Sequence, residues 1–291
     1  MKQRDVFYKF PCWLQLICLF LLMFGCLLVC ANMASLLVVL VSGADSAGQT
    51  LPLLFVQGAS VTGGFLLPSL WFMHMQKAGN PDYISVKKGV GLKILGLAVL
   101  AYLLLCPFIS AIQEWNMNWH FPERWQALEA YFRNKGLLAD QLSRQMLQTD
   151  SWGVFICSLL VVAVGAGVCE EFFFRGCLQN IFRNWFKNTH AAVWVCAAVF
   201  SLFHGDLFGF LPRLFLGAFL GYLYVWSGSI WTSVIVHTLN NSLLAFVYFL
   251  NYNGHLALSP ENLENAPHWL IVLPCLLLCT GTCLLLSRNA K

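Results

Sequence analysis

The chain has 291 residues, of which 59% are hydrophobic and only 10% charged, and its mean hydropathy is +0.69. A soluble domain carries about a quarter of its residues charged, so the composition excludes an ordinary soluble fold and predicts an all-α, polytopic membrane protein. The formal charge of +4, from 17 Lys plus Arg against 13 Asp plus Glu, is scattered with no basic run; it argues against nucleic acid as a partner and makes the positive residues markers of topology.

A membrane span needs about 20 apolar residues, and the sequence predicts about eight, at roughly 13–41, 51–75, 90–112, 153–182, 190–207, 209–227, 229–250 and 267–286. The first follows a basic start, Lys2, Arg4 and Lys9, and is much longer than the apolar region of a signal peptide, so it reads as a retained helix. Pro52, Pro68 and Pro107 fall in or at the start of the second and third spans, where membrane helices tolerate proline. Between the third and fourth lies a polar connection, 113–151, in which Trp115, Trp119, Trp125, Leu128, Phe132, Leu137, Leu138 and Leu142 alternate with charges. That pattern predicts an interfacial amphipathic helix or pair, a lid or spacer anchored by its tryptophans, with a substrate-recruiting surface as the alternative.

The fourth span carries Glu170-Glu171-Phe172-Phe173-Phe174-Arg175, two carboxylates and a guanidinium in an otherwise apolar segment. Ionisable groups there cost roughly 2.5–3.5 kcal/mol each on insertion scales, so they are functional candidates. Glu171 and Arg175 are spaced i, i+4 with the acid first, the favoured order for a pair along a helix; Glu170 lies about 100° away and is left as the working acid. The fifth span ends in Phe200-Ser201-Leu202-Phe203-His204, and the seventh holds His237-Thr238-Leu239-Asn240-Asn241, in which His237 and Asn241 share a face. Counted at about 1.5 Å per residue from the cytoplasmic helix ends, Glu170, His204, His237 and Asn241 fall within a turn or two of one depth. A lone His or Asn in a membrane helix is more often an interhelical hydrogen-bond partner; polar groups from three helices at one depth read instead as a reaction centre. In such a set a carboxylate and an imidazole deprotonate a water, and a second imidazole and an amide N–H stabilise a developing oxyanion.

Other polar residues read as structural. His74, His120, His190, His255 and His268 fall at loops or helix ends as solvated side chains, and Gly217-Ala218-Phe219-Leu220-Gly221 reads as a helix-packing seam. The 12 cysteines sit mostly singly in apolar runs, and even Cys275, Cys279 and Cys283, at i, i+4, i+8, have no histidine or carboxylate beside them, so packing is the expected role. No Gly-x-Ser-x-Gly, His-Glu-x-x-His or phosphate loop occurs. Alternate threading puts Lys2, Arg4, Lys9, Lys77, Lys87, Lys88, Lys93, Arg175, Arg183, Lys187, Arg288 and Lys291 on the side of the amino terminus and Arg124, Arg133, Lys135, Arg144 and Arg213 on the other. Twelve against five predicts both termini in the cytoplasm.

Glu170-Glu171-x-x-x-Arg175-Gly176, Phe200-x-x-x-His204 and His237-x-x-x-Asn241, in that order, resemble the three motifs of the CPBP family, the CAAX prenyl endopeptidases and bacteriocin-processing, or Abi-type, intramembrane proteases. The resemblance implies one membrane domain, 1–291, with the protease core at 153–250, and an intramembrane endopeptidase acting on a membrane-associated peptide or protein in a bacterial inner membrane. It implies that Glu170 and His204 activate water, that His237 and Asn241 form the oxyanion hole and that Glu171 and Arg175 support the site. By type Glu170, Glu171, His204 and His237 are acceptable zinc ligands; the expected reading is no cofactor, and in a metalloprotease the ligands are Glu170, His204 and His237. The bilayer and the substrate are the expected partners. Competing readings are a non-catalytic bacteriocin-immunity or scaffold protein and an ion-coupled transporter, the latter weakened by the lack of an evident inverted repeat.

Overall fold

The computed structural model describes residues 7–46, 48–77, 79–260 and 267–289. Lys2, Arg4 and Lys291, used above as topology markers, lie outside the described residues. The described chain folds into helices without a strand: α1 (Cys12–Ser42), α2 (Thr50–Gln76), α3 (Leu92–Met117), α4 (Gln126–Leu147), α5 (Trp152–Phe186), α6 (Thr189–Phe203), α7 (Phe210–Ser227), α8 (Ile230–Tyr252) and α9 (Trp269–Asn289). Among the described residues seven helices, all but α4 and α6, are long and apolar enough to cross a membrane.

The expected span at 190–207 is corrected. It is the 15-residue helix α6, which stops at Phe203. Its rise of about 22 Å at 1.5 Å per residue falls short of the about 30 Å hydrocarbon core. The stop has a local cause, since Gly205 takes φ +66°, a left-handed conformation that suits glycine and breaks the helix. The non-helical turn that follows is satisfied from within the fold. Asn116 of α3, fully buried, donates to the Leu207 carbonyl (3.3 Å) and accepts from the Leu211 N–H (3.0 Å), Asp206 accepts from the Phe208 N–H (3.0 Å), and Ser201 donates to the Phe210 carbonyl (2.7 Å).

α5 is the central helix. Every residue from Glu171 to Phe182 is buried, as expected of a helix apolar on all sides. Its three successive phenylalanines reach several helices: Phe172 meets Trp231 of α8 (5.9 Å between centroids), Phe173 meets Phe20 of α1 and Phe65 of α2 (6.1 and 5.4 Å), and Phe174 meets Phe65 as well (5.6 Å) and Phe200 and Phe203 of α6 (5.1 and 5.6 Å). The glycine seam of α7 packs as expected: a Cβ on Gly217 would lie 3.1 Å from Phe200 and 3.3 Å from the Ala197 Cβ of α6. Cys279 of α9 donates to the Ala101 carbonyl of α3 (3.3 Å), so the cysteine stripe is a packing face. His74, His120, His190, His255 and His268 are all exposed.

The connection 113–151 forms one long amphipathic helix, α4, preceded by a tight turn. Leu128, Leu138 and Leu142 are exposed along one side of it, a face suited to a bilayer interface. The opposite side is tied down by polar contacts: Tyr248 of α8 donates to Asp140 (2.7 Å), and the Arg133 guanidinium lies over the Phe208 ring (4.0 Å).

Candidate active site

The two acids sit on a short α-helical segment of α5, Ala166–Glu171, bracketed by π-helical stretches at Leu159–Gly165 and Phe172–Leu178. Such wide turns shift which face a helix presents and recur at functional sites. They leave Glu171 fully buried and Glu170 15% exposed. α8 is drawn against this segment at Gly167, where a Cβ would collide with the Thr238 hydroxyl and lie 3.1 Å from its backbone nitrogen. That close approach carries the next residue, His237, to the carboxylates.

Glu171 and Arg175 pair along the helix as their spacing predicts, with Arg175 Nη1 2.6 Å from Glu171 Oε1. The guanidinium is enclosed further: Nη2 donates to the Gly217 carbonyl on α7 (2.9 Å), and the group lies 4.6 Å from the centroid of the Phe200 ring on α6. One buried side chain thereby touches α5, α6 and α7. Glu171 Oε1 also lies 2.8 Å from His237 Nδ1, while its other oxygen is buried without a hydrogen-bond partner among the described residues. The imidazole faces both acids, since His237 Nε2 is 3.9 Å from Glu170 Oε2.

Hydrogen-bond polarity assigns the ring protons. An ionised carboxylate only accepts, so Nδ1 of His237 donates to Glu171, and Nε2 is a donor only when the ring is doubly protonated. His204 sits at the end of α6 with Nδ1 3.1 Å from the Phe200 carbonyl. A carbonyl also only accepts, so the neutral His204 ring presents a free Nε2 lone pair, the form a general base needs. Among the described residues His204 makes no ion pair with the acids; the Phe200 ring lies 5.0 Å from the His204 ring and 5.9 Å from that of His237.

Asn241 is one turn beyond His237 and its Nδ2 donates to the Val162 carbonyl in the first π-helical stretch of α5 (3.3 Å). Its neighbour Asn240 donates to Asn241 Oδ1 (3.0 Å) and accepts from the Tyr102 hydroxyl of α3 (3.1 Å). The structure thus brings Glu170, Glu171, Arg175 and His237 into one cluster, with His204 and Asn241 at its margins. Phe200, Gly167, Asn240 and Tyr102 complete the setting; only Phe200 had been marked in the sequence, as the first residue of its motif. A cavity of about 570 Å³ opens between α3, α4, the turn after α6, α7 and α8, lined in part by Gln113, Asp140, Asp206, Arg213 and Leu244.

Glu171 Oε1 is held by Arg175 and His237, and among the described residues no three His, Cys, Asp or Glu side chains converge as metal ligands.

No curated protein and no solved structure matches the chain. Residues 152–243, from the start of α5 through the His237 and Asn241 turns of α8, match the family described as type II CAAX prenyl endopeptidase, Rce1-like. The matched segment holds all three motifs on which the resemblance rested, so over these residues this integral membrane protein is similar to the Rce1-like CAAX endopeptidases.

Proposed function

We propose that the protein is an intramembrane endopeptidase that hydrolyses a membrane-associated peptide or protein with a water activated by Glu170 and His204. The observation that carries this reading is the division of labour between adjacent carboxylates: Glu171 is bound to Arg175 and His237, and Glu170 keeps its own oxygens for chemistry. Water placed between Glu170 and the free Nε2 of His204 gives up a proton to Glu170 as its oxygen attacks the substrate carbonyl. The oxyanion so formed takes hydrogen bonds from Asn241 Nδ2 and from the doubly protonated ring of His237. Glu170 then returns the proton to the amide nitrogen as the C–N bond breaks, which yields a carboxylic acid and an amine.

No step is assigned to a metal. The protein is read as a resident of a bacterial inner membrane with both termini cytoplasmic, which requires the short α6 and the turn after it to make an eighth passage together. Its reaction is tested with purified protein in detergent, a fluorogenic farnesylated peptide ending in a CAAX sequence, and an unprenylated transmembrane peptide. Wild type is expected to cleave at least one, and Glu170→Gln and His204→Ala to lose about 10²–10⁴-fold in rate while folding normally. Cleavage that survives in Glu170→Gln, or a wild type inert toward both peptides, sinks the proposal; activity that needs stoichiometric zinc sinks its metal-free form.

A further inference from the structure

We infer that Tyr102 and Asn240 are positioning residues that fix the orientation of the Asn241 amide through a one-way hydrogen-bond chain anchored on the Val162 carbonyl. This rests on the reading of Asn241 as an oxyanion donor. The contacts run Tyr102 hydroxyl, Asn240 side chain, Asn241 side chain, Val162 carbonyl, with separations of 3.1, 3.0 and 3.3 Å.

The direction of the chain follows from chemistry at one end. A backbone carbonyl accepts and never donates, so the Asn241 atom facing Val162 is Nδ2. The oxygen of Asn241 then faces Asn240 and needs a donor, which makes the facing Asn240 atom Nδ2. The oxygen of Asn240 is left toward Tyr102, and the phenol, able to donate, closes the series. Reversing Asn241 sets oxygen against the Val162 oxygen and nitrogen against the Asn240 nitrogen; reversing Asn240 sets oxygen against the Asn241 oxygen, although the phenol can then accept instead of donate. A primary amide has two N–H groups; with one on Val162, the other is held as a donor toward the reacting carbonyl.

The contacts join three separate elements. Tyr102 is buried on α3, the asparagines are on α8, and Val162 lies in the π-helical stretch of α5 just before the two acids. The same stretch of α5 that displays Glu170 therefore also sets the amide opposite it. An amide free to rotate would spend part of its time with oxygen toward the developing oxyanion, which repels it. The chain removes that alternative.

The test is a kinetic cycle on whichever of the two peptides wild type cleaves. Asn241→Ala is expected to lower kcat by about 10²-fold or more, the scale of one oxyanion donor. Asn240→Ala and the near-isosteric Asn240→Asp, which keeps shape but loses the donor, are each expected to lower kcat by about tenfold with KM unchanged, and Tyr102→Phe by about threefold, all within that donor's effect. In an Asn241→Ala background the Asn240 and Tyr102 substitutions should have no further effect on kcat. Two outcomes overturn the inference: full kcat in Asn240→Asp, which would leave only a steric role, or an equal loss from Asn240→Ala in both backgrounds. A wild-type rate in Asn241→Ala refutes the reading beneath it instead. Thermal unfolding of each variant in detergent separates loss of fold from loss of orientation, since a folded variant with reduced kcat and unchanged KM is the expected signature.

Discussion

Arg175 is a guanidinium with 1% of its side chain exposed, inside a helix bundle built from phenylalanine and leucine. A buried charge is tolerated only where it is paired and hydrogen-bonded, and here carboxylate, carbonyl and aromatic face are supplied by three helices. Removing one partner of such a pair leaves the other uncompensated and costs about 3–5 kcal/mol. Arg175→Met is therefore expected to destabilise the protein by about that amount, seen as a marked fall in unfolding temperature in detergent. Arg175→Lys should recover only part of it, because one ammonium does not reproduce a planar fork with two separate partners. If Arg175→Met melts with wild type, the pair is not structural and Glu171 is held by other means.

At the scale of elements, α4 is tied to the turn before it by Glu129. That carboxylate accepts from the Phe121 N–H (2.6 Å), from Arg133 Nε (2.8 Å) and from His120 Nδ1 (3.1 Å), and these bonds bring its pKa down to about 2 from an ordinary 4.5. A carboxylate whose folded pKa is lowered contributes stability that is full above its unfolded pKa and is lost as pH falls toward the folded one. The window here is from about 4.5 down to about 2. Glu129→Gln should thus differ from wild type in unfolding temperature at pH 6 and converge on it as pH approaches the lower limit; a difference that stays constant with pH would refute the assignment. The long helices were legible in the sequence because twenty apolar letters in a row have few other uses. The end of α6 was not, since hydropathy runs on through Leu207, Phe208 and Phe210 while the stop depends on the backbone of Gly205. The π-helical stretches leave no compositional trace either. In the site, i, i+4 spacing disclosed Glu171 with Arg175 and His237 with Asn241, whereas the Val162 and Gly217 carbonyls have no letter of their own, and Tyr102 is distant in sequence with no motif around it.

For the molecule as a whole, the charge distribution in the sequence supports the proposal that α4 lies on the side opposite the amino terminus. Gln126 is exposed at the start of α4. A cysteine introduced there, in a background with Cys157 and the other free thiols replaced, is expected to react with an impermeant maleimide on intact spheroplasts. Labelling only after lysis would invert the topology. The short helix α6 has a consequence of another kind. Hydrolysis consumes one water for every bond broken, and hydrocarbon holds almost none, so a protease set in oil depends on a supply line as much as on a base. By ending about 8 Å short of a full crossing, α6 gives up that depth to a turn lined with Asp206 and Arg213 and to the cavity above it. The missing length is taken up by polar groups and open space on the side of α4, where water can gather close to the end of α6. Filling out α6 to a complete span would make a better membrane helix and a drier, slower hydrolase.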